Sequence, residues 1–103
     1  MNKAEYIGEK VIENREKTKK WIEENRPIWV AEGEKLKKLR KKLNVAYRDI
    51  ADKISVSIPV LMKLEAGEPI ERRPLVYSSY RATLELILAE RRLAMYDFLN
   101  STD

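Results

Sequence analysis

The sequence has 103 residues, the length of one ordinary domain, and its 21 basic and 17 acidic side chains give a net charge of +4. It contains no histidine and no cysteine. This excludes thiolate or imidazole catalysis, zinc sites built from those ligands, and disulfides. We therefore expect a protein that is not an enzyme, has no cofactor and no metal, and depends on a packed core.

The sequence predicts neither a signal peptide nor a membrane-spanning segment. Met1 to Tyr6 precede no apolar stretch, so we expect no signal peptide. No apolar run reaches the roughly 18 residues that cross a bilayer. The prediction is a cytoplasmic protein with no membrane partner.

The charge is unevenly distributed along the chain. Residues 28–44 contain six basic and two acidic side chains, so this stretch alone has a net charge equal to that of the whole chain. A basic block of this kind indicates a surface that faces a polyanion. The alternative is the ordinary solvated face of an amphipathic helix.

The composition predicts an all-α fold, because helix-forming residues fill the long stretches between three glycines and four prolines. The first predicted helix runs from about Lys3 to Asn25, with a thin apolar stripe of Ile7, Val11, Thr18 and Trp21. Pro27 is expected to end it, since the residue before a proline avoids helical geometry. A second helix is predicted from about Ile28 to Leu43, with the lysines pointing outward and a buried side of Trp29, Leu36, Leu39 and Leu43. We expect both Trp21 and Trp29 in the core, where they would fasten the N-terminal helix to the domain. The alternative is that they form a partner-binding surface.

Two short helices follow in close succession. The first runs from Tyr47 to Lys53. The second runs from Ser57 to Ala66, with Ser57 as its N-cap, Pro59 in the first turn and Gly67 at the position after the helix that favours glycine.

The last predicted helix covers about Leu75 to Leu99, with a break near Ser78-Ser79. It has two apolar stripes, of which the second consists of Ala82, Leu86, Ala89, Leu93 and Tyr96. A helix that is apolar on most sides is buried on more than one side, which favours a homodimer. The residues predicted to form the dimer are Leu86, Leu93, Tyr96 and Phe98. The alternative is that the long N-terminal helix covers the second stripe.

Two short helices joined by a tight turn, after a basic helix with regularly spaced leucines, form a helix-turn-helix pattern. The segments that carry this pattern are Leu36-Lys37-Lys38-Leu39-Arg40, Asp49-Ile50-Ala51, Val56-Ser57 and Leu61-Met62-Lys63-Leu64-Glu65-Ala66-Gly67-Glu68-Pro69. In this order, over residues 33–69, the sequence resembles the lambda-repressor/Cro-type family, also called the XRE family. The resemblance implies a helix-turn-helix bundle, here with a long N-terminal and a long C-terminal helix. The expected division is an N-terminal charged amphipathic helix (1–26), a helix-turn-helix core (28–74) and a C-terminal helix that completes the core and dimerises (75–103).

The resemblance also implies a function. The expected protein is a small sequence-specific transcriptional regulator of the repressor type, from a bacterium, phage or mobile element. It would bind double-stranded DNA as a homodimer, on half-sites about 34–36 Å apart. The second short helix would lie in the major groove and contact bases through Ser57, Ile58, Val60, Met62 and Lys63. The residues expected to contact phosphates are Lys41, Lys42, Tyr47, Arg48, Arg72 and Arg73.

The leading residues of that helix depart from the family pattern. Ile58, Pro59 and Val60 offer no hydrogen-bonding side chain, whereas direct base readout relies on polar side chains and uses apolar contact only at thymine methyls. Two interpretations remain open. The protein reads DNA through methyl contacts, shape and backbone, or the surface binds a protein partner in an antitoxin-like or anti-repressor-like role.

Overall fold

The computed structural model describes the backbone of residues 3–101 and the side chains of residues 13–101. Ile7 and Val11, predicted to lie on the first apolar stripe, therefore fall outside the described side chains. The described elements are four helices: α1 (Lys3–Lys42), α2 (Tyr47–Ile54), α3 (Ile58–Ala66) and α4 (Arg73–Asn100). No strand occurs within residues 3–101, which confirms the all-α prediction.

The predicted break at Pro27 is wrong. α1 is one helix of 40 residues with Pro27 inside it, about 60 Å long at 1.5 Å per residue. Proline lacks the N–H that would bond to the carbonyl of Glu23, which costs a helix interior about 3 kcal/mol. Strong helix formers continue on both sides, and the Trp21 and Trp29 rings meet edge to face across the proline, with centroids 5.2 Å apart.

The core lies between the second half of α1 and the other three helices. Its fully buried side chains are Ile50, Leu61, Leu64, Tyr80 and Leu84. Leu36 of α1, Leu43 and Val45 of the turn after α1, and Val76 of α4 complete it. Leu39, Ala51 and Val56 pack against its edge. The predicted burial of Trp29, Leu36 and Leu43 is confirmed, whereas Leu39 is half-buried.

α4 runs in the same direction as the second half of α1. Near its start, Arg73 Nη2 donates to the carbonyl of Trp29 at 3.0 Å, and further along Arg91 Nη1 donates to the carbonyl of Leu43. The predicted break near Ser78-Ser79 does not occur, because α4 is continuous from Arg73 to Asn100. The first half of α1 and the last turns of α4 therefore extend from opposite ends of the core, and the chain measures 84 × 24 × 16 Å.

The exposure of two sets of apolar side chains bears on the predicted core and on the second stripe of α4. Trp29 is buried, but Trp21 is 56% exposed, so only one of the two tryptophans belongs to the core. Leu86, Leu93 and Tyr96 on the second stripe of α4 are exposed. Among the described side chains, those of the first half of α1 do not cover this stripe, because they lie beyond the other end of the core.

Candidate nucleic-acid interface

A three-residue turn joins α2 to α3. Ser55 ends α2 in the left-handed conformation (φ 55°), and the Val56 amide donates to the carbonyl of Ala51 at 3.2 Å. Ser57 then returns the backbone to an extended conformation, and its carbonyl accepts the amides of Val60 and Leu61 at 3.1 and 3.2 Å. Ser57 occupies the predicted N-cap position, but its side chain makes no capping hydrogen bond. The turn is thus fixed by backbone bonds and by Val56, which is half-buried against the core.

One face of α3 is exposed. Ile58, Pro59, Met62, Lys63 and Ala66 are exposed, whereas Leu61, Leu64 and Glu65 are buried. At 100° per residue the five exposed positions fall within a sector of about 140°. We call these five residues the α3 outward face.

Two glycines hold α3 close to α1. A Cβ at Gly33 would lie 2.6 Å from the Leu64 carbonyl oxygen and closer still to that of Glu65. After α3, Gly67 adopts φ 77°, and a Cβ there would lie 2.7 Å from the Val30 Cα. Backbone packs directly on backbone at both points, so the end of α3 has a fixed position on α1.

A buried carboxylate connects all four helices. Glu65 of α3 accepts hydrogen bonds from Arg40 of α1 (Nε, 2.8 Å; Nη2, 3.3 Å), from the hydroxyl of Tyr47 of α2 (2.7 Å) and from the hydroxyl of Tyr80 of α4. Arg40 also donates to the Val45 carbonyl at 3.3 Å, and its guanidinium lies 3.9 Å from the centroid of the Tyr47 ring. We call Arg40, Tyr47, Glu65 and Tyr80 the Glu65 cluster.

The electrostatics of the Glu65 cluster favour an ionised carboxylate. Burial alone would raise the pKa of Glu65, but the hydrogen bonds from Arg40, Tyr80 and Tyr47 outweigh it and hold the pKa below its ordinary value. The same carboxylate raises the pKa of Arg40 through its hydrogen bond. Burial and then the bond to Glu65 raise the pKa values of Tyr47 and Tyr80. The cluster is therefore a structural charge network that orients α3.

Four of the five residues predicted to contact bases are exposed. Ser57, Ile58, Met62 and Lys63 lie at or near the start of α3 and on its outer side. Val60 is the exception, because it is half-buried and packs against the core. Met62, two residues after Val60, is instead a large apolar side chain that is 53% exposed.

The residues predicted to contact phosphates divide in two. Lys41, Lys42, Arg48 and Arg72 are exposed. Tyr47 is half-buried, and its hydroxyl proton is already donated to Glu65, so it is not free to donate to a phosphate.

Arg73 does not fit its predicted role as a phosphate contact. It is only 6% exposed, and its guanidinium donates to the carbonyls of Trp29 (3.0 Å), Glu68 (3.1 Å) and Leu64 (3.3 Å). It also lies 5.2 Å from the centroid of the Trp29 ring. Burial lowers the pKa of this guanidinium. Arg73 links the end of α3 to α1. It is therefore no longer a candidate for contacting phosphates.

A second exposed surface lies on α4. Leu86, Leu93, Tyr96 and Phe98, the residues predicted to form a dimer, are between 53% and 64% exposed in the single chain. The spacing of Ala82, Leu86, Ala89, Leu93 and Tyr96 is four, three, four and three, the heptad pattern of a coiled-coil seam. We call these five residues the α4 seam.

Sequence reasoning missed the Glu65 cluster and the burial of Arg73. Glutamate and arginine on short or terminal helix turns are ordinarily solvated, so residue type gives no warning. The one available signal was position, because Glu65 directly follows Leu64 and lies on the same side of α3 as Leu61.

Other sites are not indicated within the described part of the chain. It contains no group of three or more carboxylates placed to hold a metal ion. None of its helices is long and apolar enough to pass through a membrane. Comparison with protein-family models, with curated proteins and with solved structures finds no match.

Proposed function

We propose that this protein is a DNA-binding transcriptional regulator of the lambda-repressor/Cro type that acts as a homodimer. The observation that carries the proposal is the α3 outward face, which is presented on a helix-turn-helix unit and held at fixed orientation by the Glu65 cluster and Gly33. A helix fits the major groove when one side is free of its own protein and the opposite side is rigidly supported. α3 meets both conditions.

The charge pattern supports the same proposal. α3 has no acidic residue on its exposed side, because its single carboxylate, Glu65, is buried and paired with Arg40. The exposed cations available for phosphates are Lys41, Lys42, Arg48, Lys63 and Arg72. Five such contacts in each of two protomers would make binding strongly dependent on salt.

The homodimer is proposed to form through the α4 seam together with Phe98. These residues are exposed in the described chain. Two copies could bury Leu86, Leu93, Tyr96 and Phe98 against each other, and full burial of one large apolar side chain contributes about 1.5–3 kcal/mol. A symmetric pair of α3 helices would then contact two half-sites.

The test is binding of the purified protein to fluorescently labelled duplexes, first from a random library and then with the selected sequence. Roughly six to ten phosphate contacts predict a loss of affinity of roughly 10³–10⁵-fold between 50 and 200 mM salt. Lys63→Ala should lower the salt slope by about one for each phosphate that Lys63 neutralises. Lys17→Ala is the matched control, because Lys17 is an exposed cation on the first half of α1, paired with Glu13 at 3.7 Å. Absence of binding at low salt, or binding that ignores salt, would refute the proposal.

A second candidate function is a protein-interaction module in an antitoxin-like or anti-repressor-like role. It is favoured by the apolar character of the α3 outward face, where Ile58 and Met62 are exposed and Val30 of α1 lies beside Met62 along a shallow groove. Ile58→Asp separates the two candidates. Loss of a co-purifying protein partner with DNA affinity unchanged would favour the interaction module, whereas loss of DNA affinity would favour the regulator.

A further inference from the structure

The α3 outward face has an unusual composition for a surface that reads DNA. Ile58, Pro59, Met62 and Ala66 carry no hydrogen-bonding side chain, and Lys63 is the single polar member. Base discrimination by hydrogen bonds relies on Arg, Lys, Asn, Gln or an acidic side chain at base edges, and Ser or Thr can also supply such a bond. Only Lys63 and the neighbouring Ser57 can supply such a bond, so most of the face must recognise something apolar.

The major groove offers one apolar group, the C5-methyl of thymine. A branched aliphatic or thioether side chain that covers this methyl removes apolar surface from water without leaving a polar group unsatisfied. Ile58 and Met62 are four residues apart and therefore neighbours on the same side of α3. Their side chains are exposed by 37% and 53%.

The α3 outward face and the α4 seam differ in charge, and this difference assigns them different partners. The segment of α4 from residue 83 to residue 100 has three acidic and two basic side chains, so it offers DNA no net attraction. The α3 outward face has one cation and no anion. Next to Met62, Glu34 and Lys37 of α1 line the shallow groove and offset one another. The α3 outward face therefore combines apolar contact with the charge sign that a DNA groove requires.

We propose that Ile58 and Met62 read thymine methyl groups, so that the protein selects half-sites by the positions of thymines rather than by hydrogen bonds to guanine or adenine. This inference rests on the proposed function and specifies what its DNA site must contain. Val60 takes no part, since it packs against the core. Lys63 and the other exposed cations contribute affinity without sequence preference.

The experiment replaces thymine by uracil, which lacks only the methyl group, at each pair of symmetry-related thymines in the two half-sites of the selected duplex in turn. Removing one methyl from each of two half-sites should weaken binding about tenfold or more, because one buried methyl corresponds to about a fourfold change in affinity. The salt slope should stay unchanged. Uracil placed outside the half-sites is the control and should have no effect.

The variants assign the contact to residues. Met62→Ala replaces an exposed side chain by a good helix former. It should abolish the preference for thymine over uracil at one position, and Ile58→Ala should abolish it at another. Lys63→Ala should weaken binding and lower the salt slope while leaving every thymine preference intact. Salt-dependent, selective binding with less than a twofold effect of uracil at every thymine would overturn the inference and leave the proposed function standing. Absence of any DNA binding at low salt would overturn both.

Discussion

Removing the Glu65 charge from the Glu65 cluster should cost a large share of the folding stability. In Glu65→Gln the side chain keeps its size, but the charge that balances Arg40 is removed from a site where the glutamate and arginine side chains are 3% and 11% exposed. Removing one partner of a buried ion pair costs about 3–5 kcal/mol, and a domain of this length has a total of about 5–15 kcal/mol. We expect the free energy of unfolding to fall by about 3 kcal/mol or more.

The assay is urea unfolding followed by circular dichroism at one fixed protein concentration, since the proposed dimer would add to the apparent stability. Glu85→Gln is the matched control, because Glu85 pairs with Arg81 at 2.9 Å on a surface where both side chains are more than half exposed, and such pairs contribute about 0–1 kcal/mol. Arg40→Met combined with Glu65→Gln should cost less than the sum of the two single changes. A fall below about 1 kcal/mol for Glu65→Gln, or strict additivity with Arg40→Met, would refute the reasoning.

Four further expectations concern the acid titration of Glu65, the contact at Gly33, the two adjacent arginines and the α4 seam. The pKa of Glu65 in the folded protein lies below its ordinary value of 4.5. Its contribution to the free energy of unfolding is therefore fully present above pH 4.5 and is lost as the pH falls through the folded pKa. In an acid titration, the free energy of unfolding should fall more steeply for the wild type than for Glu65→Gln. Gly33→Ala should destabilise by about 1–3 kcal/mol through steric overlap with α3, opposite in sign to the gain of about 1 kcal/mol in an open helix, and thermal unfolding would decide. Arg73→Ala should lower the melting temperature whereas Arg72→Ala should leave it unchanged and weaken DNA binding, and equal melting temperatures would contradict the assigned roles. Leu93→Asp should convert a dimer to a monomer in analytical ultracentrifugation without unfolding it, and an unchanged mass would remove α4 from the interface.

The local part of the fold could be predicted from the sequence. The turn between α2 and α3 and the left-handed Gly67 depend on neighbouring residues. Both lie at the positions that the serine, proline and glycine residues at the ends of α3 predict. The core positions follow from apolar periodicity, as Leu36 and Leu64 illustrate. These features depend on spacing along the chain, which a sequence displays directly.

The errors arose where packing outweighs a local preference. Pro27 disfavours helix, yet the helix formers on both sides and the contact between Trp21 and Trp29 keep α1 continuous. Arg73 looks solvated beside Arg72, but the carbonyls of three separate segments converge on it. Convergence of distant segments leaves no trace in local spacing.

The candidate site was predicted in part for the same reason. α3 follows from its cap and its periodicity, so its exposed residues could be nominated. Tyr47 could not be placed correctly, because its hydroxyl meets Glu65 18 residues away in sequence. The apolar character of Ile58 and Met62 was visible from the sequence, and the structure adds that both are exposed on one side of the helix.

The central claim is that the α3 outward face binds DNA. The most direct measurement compares the wild type with Met62→Glu for affinity to the selected duplex by fluorescence anisotropy, with the free energy of unfolding measured in parallel. We predict wild-type binding that weakens steeply with salt, and a variant whose affinity falls at least about tenfold while its stability is unchanged, since Met62 is exposed and a carboxylate would face phosphates. Equal affinity of the two proteins, or no binding by the wild type at low salt, would contradict the account.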